Sequence, residues 1–157
     1  MTATPATRFL DAQRVSYALH PYEYEAHGGT RVSAQKLGVD EHQVIKTLVF
    51  EDEMKHPFLV LMHGDREVST KALARALGVK QVGPCKPEVA QRHTGYLVGG
   101  TSPFGTKKTL QVACERSITL LEQIFINAGG RGLLCSVNPI ELVRVLRPTL
   151  VDCAAQE

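Results

Sequence analysis

Apolar residues recur along this 157-residue chain with two different spacings. Over residues 70–77 they fall on one face of a helix, and Ser69 stands where an N-terminal cap belongs. Residues 45–51 and 57–63 are instead runs rich in β-branched and apolar residues, which predict a hairpin that turns at residues 52–56. Segments of both kinds follow one another without regular β-α-β spacing, and this pattern predicts an α+β domain.

Caps and chain breakers predict where the other elements begin and end. Thr4 followed by Pro5 begins a first helix, and Gly38 ends a second helix over about residues 32–37. Asn138 caps the last helix. The remaining predicted elements are strands over residues 16–22, 122–127 and 133–137, a helix over 87–93 and a glycine turn over 128–132.

Hydrophobic residues make up 43% of the chain and charged residues 22%, a composition typical of soluble globular domains. The longest uninterrupted apolar run covers only residues 58–62, which is far too short to cross a membrane. Residues 1–10 are rich in Thr and Ala and lack the apolar core of a secretory signal. The sequence therefore predicts a single domain over residues 1–157 that works in the cytoplasm without membrane contact.

The charge balance places a limit on nucleic-acid binding. Eighteen basic and sixteen acidic residues give a formal net charge of +2, whereas a strong nucleic-acid binder usually carries a heavier basic excess. An RNA partner is therefore permitted but not required. Any contact with RNA is expected to be local and directed at phosphate groups.

Cysteine and histidine spacing gives no sign of a metal site. The four cysteines form no CxxC pair, and the six histidines form no HExxH motif. We therefore expect no metal ion and no cofactor, and reduced, partly buried thiols are the plainest interpretation of the cysteines. A Cys–His pair for nucleophilic catalysis stays open, because residues far apart in sequence can be neighbours in space.

The most informative segment is the glycine-rich stretch over residues 94–105. Successive backbone N–H groups in such a loop can bind an anion or a developing oxyanion, and a tight structural turn is the alternative interpretation. Gly100 and Gly105 have the spacing of a phosphate loop, but Thr106 stands where that motif requires lysine. The stretch therefore favours an anion-binding loop or a turn over nucleotide hydrolysis.

Three cations also allow two interpretations each. Lys46 opens a predicted strand, where it is a solvated point charge or holds a phosphate or polarises a carbonyl group. Lys71 and Arg75 lie four residues apart on one side of a predicted helix, where they form a solvated face or contact phosphates.

Several segments of the chain match one family in the same order. They are Lys46-Thr47-Leu48, residues 89–92 with 94–100, Ser102-Pro103 with Gly105, Lys107-Lys108 and Arg131-Gly132-Leu133. With these motifs the chain resembles the YbaK family, relatives of the editing domain inserted in prolyl-tRNA synthetases, over nearly its whole length. The most similar members are Cys-tRNA(Pro) deacylases.

This resemblance implies a fold and a site. The fold is a mixed, partly barrel-like β-sheet surrounded by helices. The site is a pocket for the aminoacylated 3′ end of tRNA in which Lys46 is the catalytic residue, with prolyl-tRNA synthetase as a further partner. The substrate-binding residues that it implies are Tyr22, Thr47, Gly99, Gly100, Thr101, Ser102, Pro103, Gly105, Asn127, Gly129, Arg131 and Gly132.

The resemblance also implies a reaction, the removal of a wrongly attached amino acid from tRNA, most simply Cys from Cys-tRNA(Pro) by attack of the substrate's own thiol. Thr101 stands where the family usually has Ile or Val, and Asn127 replaces a usual Ser. These departures leave Ala- or Ser-charged tRNA open as the substrate. A module that binds tRNA or a synthetase without turnover is the second class of function.

Overall fold

Eight strands form one mixed sheet within residues 3–156, the part of the chain that the computed structural model describes. The strands are β1 (Ala18–Pro21), β2 (Val44–Asp52), β3 (Pro57–His63), β4 (Val82–Pro84), β5 (Gln111–Glu115), β6 (Ile124–Gly130), β7 (Leu133–Val137) and β8 (Thr149–Val151). Their order is β1-β7-β6-β2-β3-β5-β8, and β4 also pairs with β2. The parallel pairs are β2 with β6, β3 with β5 and β5 with β8, so the sheet is mixed as expected.

Five α-helices accompany the sheet within the described residues. They are α1 (Pro5–Ala12), α2 (Gly29–Leu37), α3 (Thr70–Leu77), α4 (Pro87–Thr94) and α5 (Pro139–Leu146), and 3-10 turns cover Glu41–Gln43 and Arg116–Leu120. Their ends follow the local sequence: Ser69 Oγ accepts the N–H of Ala72, and Gly38 ends α2 in the left-handed conformation. None of the helices in residues 3–156 is long and apolar enough to cross a membrane.

The β2–β3 hairpin is the centre of the sheet and confirms the predicted turn at residues 52–56. Asp52 Oδ1 accepts the N–H groups of Met54 and His56, both at 2.9 Å, and Lys55 takes a positive φ of 62°. Because this turn fixes the register, the pairing runs without a shift along both strands.

Each face of the hairpin packs against different helices, because side chains alternate along a strand. Ile45, Val49 and Leu61 belong to the core that includes α1 residues, and we call their side of the sheet the α1 face. Phe50 and Met62 belong to the core that includes α3 residues, and we call their side the α3 face. Both faces are thus covered by helices near the hairpin.

The predicted glycine turn over residues 128–132 is wrong in its extent. β6 continues to Gly130 with a register shift between Asn127 and Gly130, because Asn127 Oδ1 accepts the N–H groups of Gly129 and Gly130 at 2.6 and 3.1 Å. The short strands β4, β5 and β8 have no predicted counterpart. Their pairing depends on neighbouring strands more than on their own residues.

Candidate functional site

The central strand β2 has a gap along one edge. It pairs with β6 only at Val44 and Ile45, and with β4 only at residues 50–52. Among the strands in residues 3–156, none pairs with residues 46–49 on this edge. Backbone groups in an unpaired stretch of sheet are available to other partners. Val49 O already accepts the N–H of Cys85 at 2.9 Å, so the edge that an extended ligand could occupy beside β2 covers residues 46–48.

Lys46 and Asn127 lie side by side at the start of this gap. Ile45 of β2 is paired with Ile126 of the parallel strand β6, and Lys46 and Asn127 are the next residues in their strands. Residues in register on adjacent strands point to the same face of a sheet. Two sequence-predicted site residues thus lie on adjacent strands and on the same face of the sheet, although 81 positions separate them, the difference between 127 and 46.

The Lys46 side chain is largely covered and has one acidic neighbour. It is paired with Met62 on the α3 face, and its side chain is 20% exposed. Its Nζ lies 3.4 Å from Glu67 Oε1, whereas the Glu67 side chain is 87% exposed. A pair of this kind contributes only about 0–1 kcal/mol. An anionic ligand can therefore replace Glu67 at the lysine at little cost.

Thr47 points to the opposite side of the strand from Lys46. It shares the α1 face with Ile45 and Val49, because these positions are two residues apart. Its hydroxyl oxygen is buried and has no hydrogen-bond partner within residues 3–156. A buried polar group without a partner costs about 1–3 kcal/mol. The Thr47 hydroxyl is therefore an unusual group, next to the unpaired edge of β2.

The glycine loop, residues 95–105, is tied to the β6–β7 turn by two side chains. Asn127 Nδ2 donates to the carbonyl oxygen of Gly99 at 3.4 Å, and Arg131 Nε donates to that of Val98 at 2.9 Å. A Cβ on Gly100 would lie 3.0 Å from the backbone of both Gly130 and Arg131. Loop and turn are therefore in backbone contact, and a side chain at position 100 would crowd the turn.

The resemblance implies Gly99 and Gly100 as backbone donors to the substrate, and only the first of these N–H groups is free in residues 3–156. The Gly100 N–H donates to the carbonyl oxygen of Leu97 at 2.9 Å, so it is already used. Within residues 3–156, the N–H groups of Gly99 and Thr101 have no hydrogen-bond partner. In a trans peptide the N–H points away from the preceding carbonyl, so the Gly99 N–H points away from Arg131.

Four predicted site residues are built into the packing of the loop. Ser102 is fully buried, and its Oγ accepts the N–H of Phe104 at 3.2 Å, next to the buried Pro103. Gly105 touches the backbone of Pro5 so closely that a Cβ has no room. Gly129 approaches Thr4 and Tyr96 in the same way, with Cβ distances of 3.0 to 3.1 Å. These residues seat the loop on α1.

Tyr22 and Gly132 adjoin each other at the other side of the turn. The Tyr22 N–H donates to Gly132 O at 2.9 Å, and Gly132 has a φ of +78°. The Tyr22 ring packs against the cluster that contains Val44 and Phe125. Burial raises the pKa of Tyr22 above its ordinary value of 10.0, so its phenol is a neutral hydrogen-bonding group near pH 7.

The sequence of the chain matches a known family of domains. The family model of the aminoacyl-tRNA editing domain matches residues 28–145, from the residue before α2 to within α5. The chain belongs to the aminoacyl-tRNA editing domain family. The resemblance inferred from the motifs is thereby confirmed, and so are the expected mixed sheet and its surrounding helices.

Relatives of this editing domain include separate proteins and parts of synthetases. EbsC of Enterococcus faecalis, designated a candidate Cys-tRNA(Pro)/Cys-tRNA(Cys) deacylase, is 26% identical over 98% of this chain and 94% of its own length. The proline–tRNA ligase of Limosilactobacillus reuteri is 28% identical over 71% of this chain, which is only 21% of the ligase. A crystal structure of a candidate trans-editing enzyme for prolyl-tRNA synthetase has a TM-score of 0.84 at 20% identity and covers 99% of this chain and 100% of that one.

Two residues that adjoin the candidate site are absent from the set of site residues predicted from the sequence. Tyr24 lies under the Arg131 guanidinium, 5.5 Å from ring centroid to Cζ, and its hydroxyl occupies the space that a Cβ on Gly99 would take. Glu67 contacts Lys46 from the loop after β3. An aromatic residue two positions after Tyr22 is a signal for the first, whereas no local pattern indicates the second.

The cysteines of the editing domain are poor nucleophiles. Burial raises the pKa of the Cys114, Cys135 and Cys153 thiols to about 12. Burial and a hydrogen bond to Glu51 raise that of Cys85 to about 12 as well. Because the thiolate is the reactive form, the Cys–His mechanism left open by the sequence finds no support. No group of three or more metal-binding side chains occurs within residues 3–156.

Proposed function

We propose that this editing domain is a trans-editing aminoacyl-tRNA deacylase that removes Cys from Cys-tRNA(Pro) and so protects translation fidelity. The observation that carries the proposal is the unpaired edge of β2, which begins at Lys46, next to the strand whose Asn127 holds the glycine loop. A lysine, an unpaired strand edge and free backbone donors suit an anionic, extended ligand such as the 3′ end of tRNA.

Each predicted site residue has a role in this proposal. Lys46 replaces its weak contact with Glu67 by a contact with the terminal nucleotide or the ester carbonyl. The free N–H groups of Gly99 and Thr101 face the developing oxyanion. Asn127 and Arg131 hold the loop in place for this purpose. Gly100, Ser102, Pro103, Gly105 and Gly129 shape the pocket by holding the glycine loop in place, and Tyr22 and Gly132 border it. Thr47 contributes through the backbone of β2, because its side chain lies on the opposite face from Lys46.

The chemistry needs no nucleophile from the protein. The thiolate of the esterified cysteine attacks its own carbonyl carbon and forms a carbon–sulfur bond. The bond between that carbon and the ribose oxygen breaks, the oxygen takes up a proton, and the products are free tRNA and a small cyclic thioester. An aminoacyl ester is already activated, so positioning and oxyanion stabilisation supply much of the rate. The raised thiol pKa values of the protein's own cysteines agree with this scheme.

The amino acid that is removed from tRNA depends on small details of the pocket. Thr101 lies beside the free donors, and its hydroxyl contacts Leu97 O at 3.5 Å. A difference of one methyl group changes discrimination by only about 1–3 kcal/mol. Ala- or Ser-charged tRNA, attacked by water, is therefore the alternative substrate. We further propose that the protein acts as one domain in the cytoplasm, where prolyl-tRNA synthetase presents the charged tRNA.

A panel of purified tRNAs charged with Cys, Ala, Ser or Pro tests this function. Wild-type protein is compared with Lys46→Ala and with Lys55→Ala, a matched control at the tip of the β2–β3 hairpin. We expect wild type and Lys55→Ala to release Cys from Cys-tRNA(Pro) at equal rates. Loss of the Lys46 contact in the transition state is expected to slow release at least about a hundredfold, while urea unfolding shows that the variant still folds.

The other outcomes decide between the alternatives. Release of Ala or Ser, but not Cys, names the alternative substrate. Protection of the ester at stoichiometric protein, with no release even after addition of prolyl-tRNA synthetase, contradicts a deacylase and favours a binding module. Full activity of a folded Lys46→Ala variant overturns the role assigned to the lysine.

A further inference from the structure

A buried chain of hydrogen bonds lies outside the proposed pocket. His63, at the end of β3, is 1% exposed. Its Nδ1 lies 2.8 Å from the carbonyl oxygen of His42, and its Nε2 lies 2.8 Å from Ser117 Oγ. Ser117 Oγ in turn lies 2.6 Å from Glu115 Oε2. The four groups thus form three contacts in series.

These three contacts require one proton more than a neutral histidine, a serine hydroxyl and an ionised carboxylate carry between them. The carbonyl oxygen of His42 can only accept, so His63 Nδ1 must carry a proton. The two contacts of Ser117 Oγ, with His63 Nε2 and with Glu115, need two further protons. The hydroxyl provides one of them. The other must sit on His63 Nε2 or on Glu115, since otherwise two acceptors would face each other at 2.8 or 2.6 Å.

The surroundings of Glu115 favour the charged carboxylate. Its Oε1 accepts the N–H groups of Cys153 and Ala154 at 2.9 and 3.1 Å, and its Oε2 accepts that of Ser117 at 3.0 Å. Although burial acts to raise it, these hydrogen bonds hold the pKa of Glu115 below its ordinary value. The neighbouring Cys114 thiol, with a pKa near 12, adds no charge.

The groups around His63 have opposing effects on its pKa. Burial lowers the pKa of His63, and so does the ring of His42, which stacks on it at a centroid distance of 3.7 Å. Asp65, which contacts His42 at 2.8 Å, and Glu115 act in the opposite direction. Taken together, these effects lower the pKa of His63 below its ordinary value of 6.5, although the hydrogen bond to the backbone of His42 acts to raise it. The hydrogen-bond geometry points the other way, because two acceptors in front of two ring nitrogens can be satisfied only by the doubly protonated ring.

We propose that His63 is a buried imidazolium that Glu115 stabilises through the hydroxyl of Ser117, and that this bridge positions the loop beside Lys46. The second half of the proposal rests on the proposed function. The bridge is a positioning device, because no hydrogen bond or ion pair in residues 3–156 joins its three residues to Lys46.

The bridge is connected to both sides of that loop, which covers residues 64–68. His63 directly precedes it. On its other side, the Ala155 N–H donates to Glu67 O at 2.8 Å, and the Ser69 N–H donates to Cys153 O at 2.7 Å. Glu115 holds the same C-terminal segment through the N–H groups of Cys153 and Ala154. Breaking the bridge should therefore loosen residues 64–68, which carry Glu67 beside Lys46.

Nitrogen NMR of histidine-labelled protein tests the protonation state directly. At about pH 7.5, above the ordinary histidine pKa, we expect one-bond N–H couplings at both ring nitrogens of His63. In Glu115→Gln the amide can donate to Ser117 Oγ and Ser117 can donate to Nε2, so the Nε2 proton should be lost. The exposed Glu122→Gln serves as the control and should leave both couplings. A single protonated nitrogen in the wild type overturns the imidazolium.

The positioning role is tested at Ser117. Ser117→Ala removes the bridging hydroxyl, whereas Ser117→Thr retains it. We expect Ser117→Ala to lower kcat for deacylation about tenfold with little change in KM, because imprecise placement acts on the transition state, and Ser117→Thr to restore the rate. In the Lys46→Ala background the same change should have no further effect.

The outcomes separate the two proposals. A wild-type rate for Ser117→Ala, or an equal loss with and without Lys46, overturns the positioning role. If wild-type protein deacylates no charged tRNA, the proposed function fails, while the couplings of His63 still decide whether the imidazolium exists. If Glu115→Gln does not fold, the wild-type spectrum and the Ser117 pair decide both halves of the proposal.

Discussion

The side-chain amide of Asn127 donates to the carbonyl oxygen of Gly99 at 3.4 Å, across 28 residues of chain. It also donates to Gly130 O at 3.0 Å, and its oxygen accepts the N–H groups of Gly129 and Gly130. Every hydrogen-bonding position of the amide is thus occupied. Asn127 shapes the bulge in β6 and holds the glycine loop with one side chain, so it acts on the pocket through the backbone.

We therefore expect Asn127→Ala to lower both stability and activity. The change leaves the partly buried N–H groups of the bulge without an acceptor and releases Gly99, which should lower the free energy of unfolding by about 1–3 kcal/mol. Urea unfolding and deacylation rates measure the two effects. Asn138→Ala, which removes the cap of α5, is the matched control and should cost about 1 kcal/mol with no loss of activity. Equal activity in both variants would show that the tie to Gly99 is dispensable.

The contact between the glycine loop and the β6–β7 turn makes a second prediction. In Gly100→Ala the added Cβ would lie 3.0 Å from backbone atoms of Gly130 and Arg131, which cannot move as a flexible side chain would. We expect a loss of about 1–3 kcal/mol in unfolding free energy and a larger loss in deacylation rate. Gly83→Ala is the control, because its Cβ would have no neighbour within 4 Å. A Gly100→Ala variant with wild-type rates would make the loop merely structural.

The raised thiol pKa values predict resistance to alkylation. A thiol whose pKa is raised stays protonated up to higher pH, so at about pH 8 the four free cysteines hold almost no thiolate. We expect iodoacetamide to leave the folded protein unmodified and active over the time in which the urea-unfolded chain reacts at all four thiols. Mass spectrometry follows the reaction. Inactivation in step with modification of one thiol would reinstate a protein nucleophile.

Glu115 gives a prediction for the acid side of the stability curve. Its pKa lies below the ordinary value of 4.5 in the folded protein, so the unfolded chain takes up the proton first. The stability that this carboxylate provides is fully present above pH 4.5 and is lost as the pH falls through the lower folded value. Urea unfolding should therefore show a steeper loss of stability below that pH for wild type than for Glu115→Gln. Identical slopes would contradict a stabilised carboxylate.

Local signals explain why much of the fold was predictable. The Thr4 and Ser69 caps, the left-handed Gly38 and the turn after Asp52 all act within a few residues, and the structure has them where the sequence indicates. β8, by contrast, is only three residues long and exists because β5 lies beside it. The extent of β6 depends on the Asn127 side chain, which turns two glycines into part of a bulged strand.

By itself, the sequence determined the class of the fold and the family, and it predicted a set of pocket residues, because caps, periodicity and motif order are local properties. Tertiary structure decided how these residues are used. Among residues 3–156 it left the Gly99 N–H without a partner and occupied that of Gly100, and it set Glu67 against Lys46. It also closed the bridge from His63 to Glu115. These relations depend on distances between segments far apart in the chain, and strand order and packing alone determine such distances.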